Sequence, residues 1–198
     1  MPSADPRPAD VVAILAGGRS RRMGAPKAGV LLDGAPLLAH AVAAAHGAGL
    51  RPVVVAKRTS ELPEVPGLER WDEPDDPTHP LTGVVAALHR AAAPVVVLPV
   101  DLPHVPSALL AHLAARPEPL VIVEGAGRRH PLLARVAPEH AAALESAARS
   151  GARVMETVEG LGAAVAGDDV VAPMGDPAVL LRNLNRPDDL ANQAWTNG

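Results

Sequence analysis

Short apolar runs recur along the chain at VVAILA (11–16), PVVVA (52–56), VVVLPV (95–100), LVIV (120–123) and PLLARV (131–136). The first four are continuously apolar rather than alternating, the pattern of strands buried on both faces of a sheet. Between the runs lie stretches with helical spacing: PLLAHAVAAAHGAGL (36–50), LTGVVAALHRAA (81–92), SALLAHLAAR (107–116) and PEHAAALESAARS (138–150). Strands alternating with helices predict βαβ units, hence a three-layer α/β fold with a mostly parallel sheet and helices on both faces. Pro36 is placed to start the first helix and Gly47 and Gly49 to end it, while Pro94 and Pro117 stop later ones. A short helix is expected over 152–159 and a last one from about Pro187. Neither a repeat nor a break in composition divides the chain, so residues 1–198 read as one domain, with 1–9 a flexible N-terminal extension.

Composition narrows the function classes. A net charge of −4 gives no global field for a polyanion. Phe and Tyr are absent and Trp71 and Trp195 are the only aromatics, so a stacking platform for nucleic-acid bases is excluded. The absence of Cys excludes thiolate nucleophiles, disulfides and iron–sulfur clusters. The segment MPSADPRPAD lacks a basic start leading into an apolar stretch, and no apolar run reaches membrane length, so a cytoplasmic protein is expected. Lys27 and Lys57 are the only lysines among 18 basic residues, which marks both as candidates for chemistry.

The stretch LAGGRSRRMGAPKAGVLLDG (15–34) follows the first strand directly, where ligands bind in open α/β sheets. Gly17 and Gly18 allow close backbone approach, and Arg19, Arg21, Arg22 and Lys27 surround that turn with positive charge. Backbone N–H groups with converging cations form an anion site, and a triphosphate is the anion that fits. The dinucleotide fingerprint and the Walker A motif are both excluded by spacing.

Downstream, VVVLPVDLPHVP (95–106) ends an apolar strand at Asp101. A carboxylate there reads either as a Mg²⁺ ligand or as a helix cap. Pro103 and Pro106 postpone the helix toward Ser107, which favours the metal, and one well-placed Asp suffices for Mg²⁺ carried on phosphates. His104 reads as a solvated loop residue.

LAGGxSxRMGxxK, a following short strand and GxPLL resemble the signature of the MobA-like nucleotidyltransferases, and PVDLP is similar to that family's P-x-D-x-P motif. The resemblance implies a Rossmann-like nucleotidyltransferase fold and transfer of GMP from GTP to molybdopterin, with Mg²⁺ and release of pyrophosphate. It puts Leu15, Ala16, Gly17 and Gly18 in the nucleotide cradle, Arg22 and Lys27 on phosphate, and Asp101 on the metal. WDEPDDPTHPLTG (71–83) resembles the segment that brings an Asp to the nucleotide, which implies that role for Asp72; as a residue of an acidic run, Asp72 reads equally as solvated. GRRHPLLARV (127–136) is similar to the strand flanking the acceptor, and NLNRPDD (183–189) to the family's tail motif. His130, Asn183 and Asn185 thereby become acceptor-side candidates, and Arg128 and Arg129 read either as acceptor contacts or as an exposed hairpin. The chain departs from the family pattern at Pro26, His79 and His130, where family members have Asp, Gly and Gln, and after the second strand, where Ala56-Lys57-Arg58 stands in place of a common Asn. Two alternatives stand beside this reading: a cytidylyl- or other nucleotidyltransferase with a different acceptor, and a non-catalytic nucleotide-binding module.

Overall fold

Nine strands and seven α-helices alternate along the chain in a computed structural model that describes residues 7–17 and 26–184. The strands are β1 (Val11–Leu15), β2 (Leu31–Leu32), β3 (Ala35–Pro36), β4 (Arg51–Lys57), β5 (Glu69–Glu73), β6 (Val95–Pro99), β7 (Leu120–Gly125), β8 (Arg128–Val136) and β9 (Ala164–Ala166). The helices are α1 (Leu37–Gly47), α2 (Pro80–Ala91), α3 (Ser107–Ala115), α4 (Ala141–Ser150), α5 (Val154–Gly160), α6 (Asp168–Val171) and α7 (Pro177–Leu180). The helix expected from Pro187 lies outside the described residues.

Seven strands form one sheet in the order β5-β4-β1-β6-β8-β7-β9. All its neighbours pair in parallel except β8, which runs antiparallel to both β6 and β7. The small β2–β3 hairpin stands apart and turns through Asp33 and Gly34, both at positive φ (49° and 81°). Such a two-residue Asp-Gly turn matches the twist of the strands it joins.

The continuous apolar runs are buried on both faces, as the sequence predicts. In β1, Val12 and Ile14 face α1 and α3, packing with Leu38, Leu109 and Leu110. Val11 and Ala13 face the other way, toward Leu81, Val84 and Leu88 of α2 and Leu144 of α4. Helix α1 meets α3 closely enough that a Cβ on Gly47 would lie 2.3 Å from Ser107 Oγ.

Within the segment expected as an N-terminal extension, Arg7 and Ala9 make backbone contacts with the rest of the domain. Ala9 is buried and its N–H donates to Ala114 O at 3.0 Å. The buried guanidinium of Arg135 donates to Arg7 O at 2.9 Å and to Glu118 O at 2.7 Å. Burying an arginine without a carboxylate partner costs free energy unless its donors are met; here each terminal nitrogen reaches a backbone carbonyl, while the buried Nε has no partner among the described residues.

Strand β5 and strand β9 escaped the hydrophobic pattern. β5 reads ERWDE, and only Trp71 of it is buried. It is an edge strand, where charge is tolerated and protects against further pairing.

Candidate active site

The sheet order creates a crevice. From β1 the chain adds β4 and β5 on one side, then crosses back to place β6 on the other. Loops leaving β1 and β6 therefore diverge, and the space between them at the carboxyl ends of the strands is open for ligand. A cleft of about 400 Å³ lies there. Its walls include Leu15, Ala16 and Gly17 from β1, Asp101 from beyond β6, and both lysines of the chain, Lys27 and Lys57.

Lys27 opens a 3-10 turn (Lys27–Gly29) that packs beside α1, and its Nζ donates to Asp101 Oδ2 at 2.8 Å. Both side chains are about one-fifth exposed. Asp101 caps no helix: Pro106 precedes α3 and no side chain caps that terminus. Among the described residues no group of three or more His, Asp or Glu is arranged to hold a metal by itself. One carboxylate on the rim is nevertheless the donor set that suits Mg²⁺ arriving on phosphates, because that ion keeps waters and takes few protein ligands.

The tail reaches the same place. Leu184 is fully buried and its N–H donates to the Asp101 carbonyl at 2.9 Å. Asn183, one position earlier, holds its Oδ1 buried without a hydrogen-bond partner among the described residues. An orphaned carbonyl oxygen is costly, and it is suited to a donor brought by ligand.

His130 lies buried on β8, where burial above all, and then the charge of Arg128, hold its pKa below the ordinary value. The Asp101 carboxylate pulls the other way. The imidazole is therefore neutral at pH 7, able to donate one hydrogen bond and accept another. Arg129 is engaged elsewhere, in ion pairs with Glu124 and Glu159 at 2.7 and 2.6 Å.

Asp72 does not enter the cleft. Its side chain is 53% exposed and pairs with Arg70 at 3.1 Å. The cause is the two-residue period of β5, which sends Asp72 to the opposite face from Trp71 and Glu73. Glu73 is the acidic residue that the strand delivers to the cleft. Gly18, Arg22 and Asn185 lie outside the described residues.

The sequence gives Glu73 no role and marks Lys57 only as one of the two lysines. They are register partners on β4 and β5, so they stand side by side on one face. The Glu73 carboxylate is wedged between two glycines: a Cβ on Gly17 would lie 2.3 Å from its Oε1, and one on Gly83 2.6 Å from its Oε2. Burial raises its pKa, Lys57 lowers it and Asp75 raises it again. Lys57 Nζ also donates to Asp75 O, holding the loop between β5 and α2. With a single apolar residue, ERWDE carries no alternation that marks Glu73; its inward direction follows from the pairing of β5 with β4.

His79 caps α2. Its Nδ1 accepts from Leu81 N at 3.2 Å and its Nε2 lies 2.9 Å from Ala152 O, so Nε2 carries the proton. The histidine thus ties the start of α2 to the link between α4 and α5.

A glycine-bearing loop after β1 and a lysine–aspartate pair across the switch point define the class, an α/β nucleotidyltransferase. The chain belongs to the MobA-like NTP transferase family, whose model matches residues 12–170. It is 34% identical over 183 residues to a probable molybdenum cofactor guanylyltransferase of Opitutus terrae, covering 89% of this chain and 91% of that one. It is 31% identical over 209 residues to the molybdenum cofactor guanylyltransferase of Sinorhizobium fredii, covering 93% and 90%. The crystal structure of molybdopterin-guanine dinucleotide biosynthesis protein A from Archaeoglobus fulgidus superposes with a TM-score of 0.77 at 26% identity, covering 92% of this chain and 95% of that one.

Proposed function

We propose that this chain transfers GMP from GTP to molybdopterin and releases pyrophosphate. The carrying observation is the pairing of Lys27 with Asp101 across the switch point, in a chain whose full-length relatives bear the guanylyltransferase name. The acceptor's phosphate oxygen attacks the α-phosphorus of GTP. A new P–O bond forms as the bond to the β-phosphate breaks, and pyrophosphate leaves with the electron pair.

Positioning and charge neutralisation dominate such transfers, and little covalent chemistry is asked of the protein. The backbone at Leu15, Ala16, Gly17 and Gly18 cradles the nucleotide. Arg22 and Lys27 take the phosphates, Lys27 exchanging its carboxylate partner for them. Asp101 would hold Mg²⁺, which would supply charge neutralisation on the phosphates. His130 and Asn183, with Asn185, face the acceptor; the neutral imidazole is suited to a hydrogen bond with an acceptor phosphate. No helix among the described residues is long and apolar enough to cross a membrane.

The test is thermal stabilisation of the purified chain by GTP, CTP, ATP and UTP, each with and without Mg²⁺, followed by pyrophosphate release with molybdopterin. Ligands that bind only the folded state raise its melting temperature. GTP with Mg²⁺ should stand out and turn over. Stabilisation by CTP instead would move the chain to the cytidylyl relatives, and binding without turnover would leave a nucleotide-binding module.

A further inference from the structure

His79 joins two parts of the molecule that the chain keeps 73 positions apart. Its Nδ1 accepts from Leu81 N at 3.2 Å in the first turn of α2, and its Nε2 donates to Ala152 O at 2.9 Å in the link between α4 and α5. A carbonyl only accepts and an amide N–H only donates, so both bonds require the neutral ring with its proton on Nε2. His79 is also part of the cleft wall, beside Thr78 and Pro80.

From Ala152 the connection runs to the other wall. Val158 of α5 shares a small apolar space with Pro131 and Leu132 of β8 and with Leu81, the residue whose N–H His79 accepts. Leu132 itself lines the cleft, and His130 precedes Pro131 in the chain. Glu159, next to Val158, pairs with Arg129 at 2.6 Å, but that pair is exposed and contributes little alone, so packing of Val158 carries the connection. In the sheet order β5 and β8 stand on opposite sides of β1 and β6. The route from His79 through Ala152 and Val158 to Leu132 therefore spans the cleft behind its floor.

We propose that His79 is a positioning residue that holds the β5–α2 wall of the cleft in register with β8. The role rests on the transfer reading above, in which β8 faces the acceptor. In-line transfer needs the attacking oxygen close to the α-phosphorus and aligned with it, and a misplacement of about 1 Å costs up to about a hundredfold in rate. Two other bonds hold the loop between β5 and α2: Lys57 Nζ donates to Asp75 O, and Thr82 Oγ1 to Pro77 O. Both of these anchors come from its own side of the cleft, from β4 and α2. Of the three, His79 is the one that reaches the α4–α5 link.

Two substitutions separate the two bonds of the ring. Asn places a polar atom where Nδ1 lies, so His79→Asn keeps the cap and loses the reach to Ala152. Gln extends an amide N–H toward the place of Nε2, so His79→Gln keeps the reach and loses the cap. With GTP, Mg²⁺ and molybdopterin, kcat should fall about tenfold in His79→Asn, while the dissociation constant for GTP stays within about twofold of wild type. His79→Gln should keep kcat within about threefold and melt about 2 to 4 °C lower. The reverse order, with Asn active and Gln impaired, overturns the proposal and leaves His79 a helix cap. Turnover that merely follows melting temperature across both variants overturns it as well. ¹⁵N NMR of the wild-type chain at mildly alkaline pH tests the contact without a variant: the His79 ring should be held with Nε2 protonated and Nδ1 bare, and a ring averaging between tautomers would refute the tether. If the ring is held but wild type releases no pyrophosphate, the transfer reading fails, and the positioning role with it, while the tether stands.

Discussion

Lys27 and Asp101, 74 positions apart in the chain, meet at 2.8 Å on the rim of the sheet. Each group neutralises the other, and in the proposed reaction a ligand carrying both negative phosphate and a divalent cation would replace the two halves of the pair. The ion pair keeps a half-buried lysine and a half-buried aspartate from standing uncompensated in the free protein, which limits the cost of pre-organising the site.

Asp101→Ala should therefore reduce turnover by about a hundredfold or more at saturating GTP and Mg²⁺, while melting stays within a few degrees of wild type. Lys27→Ala should raise the dissociation constant for GTP about tenfold or more. Because the two groups touch, the double variant should lose less than the two single losses combined. Steady-state pyrophosphate release and nucleotide titration check all three, and strict additivity would show that the pair does not act as a unit.

Gly17→Ala and Gly83→Ala should each displace the Glu73 carboxylate, since the new methyl group falls at 2.3 or 2.6 Å from one of its oxygens. Gly83→Ala also meets Leu15 Cδ2 at 3.1 Å and should destabilise the fold by about 1 to 3 kcal/mol, the usual cost of overpacking. Chemical denaturation, with GTP affinity measured in parallel, distinguishes the two effects.

His130 provides a pH signature. Its folded pKa lies below the unfolded value, so the unfolded state binds the proton more readily. Stability should accordingly fall as pH drops from the ordinary histidine range near 6.5 toward the lower folded value. His130→Gln should flatten that part of the stability profile, leaving the contribution of His140, which burial shifts in the same direction. Urea midpoints collected between neutral and mildly acidic pH test it.

Glu118 should act at lower pH. The Arg116 guanidinium donates to both its oxygens and holds its pKa at about 2, well under the ordinary 4.5. A depressed carboxylate contributes stability that is present above its unfolded pKa and lost as pH falls through the folded one. Glu118→Gln should lower the melting temperature at neutral pH and cease to matter near pH 2. An equal deficit at both pH values would mean that the neutral side chain, not the charge, is what matters.

Gly47→Ala should cost about 1 to 3 kcal/mol, because the methyl group would lie 2.3 Å from Ser107 Oγ at the contact of α1 with α3. The same substitution at Gly29, which has open space around it, should be close to neutral.

The sequence by itself determined the architecture and half of the site. Continuous apolar runs such as VVAILA and VVVLPV can only be covered on both faces, so their spacing fixed a three-layer parallel sheet. The glycines after β1 and the aspartate after β6 could be read as ligand groups because strand ends are local features. What tertiary structure decided was which charged side chains share a space. Strand β5 shows why: ERWDE carries no apolar run, its edge position makes it visible only through pairing with β4, and that pairing turns Glu73 inward and Asp72 outward. The union of Lys27 with Asp101, the docking of Leu184 on the Asp101 backbone and the wedging of Glu73 between Gly17 and Gly83 all join residues distant in the chain. No local pattern encodes such contacts, because they follow from strand order and register.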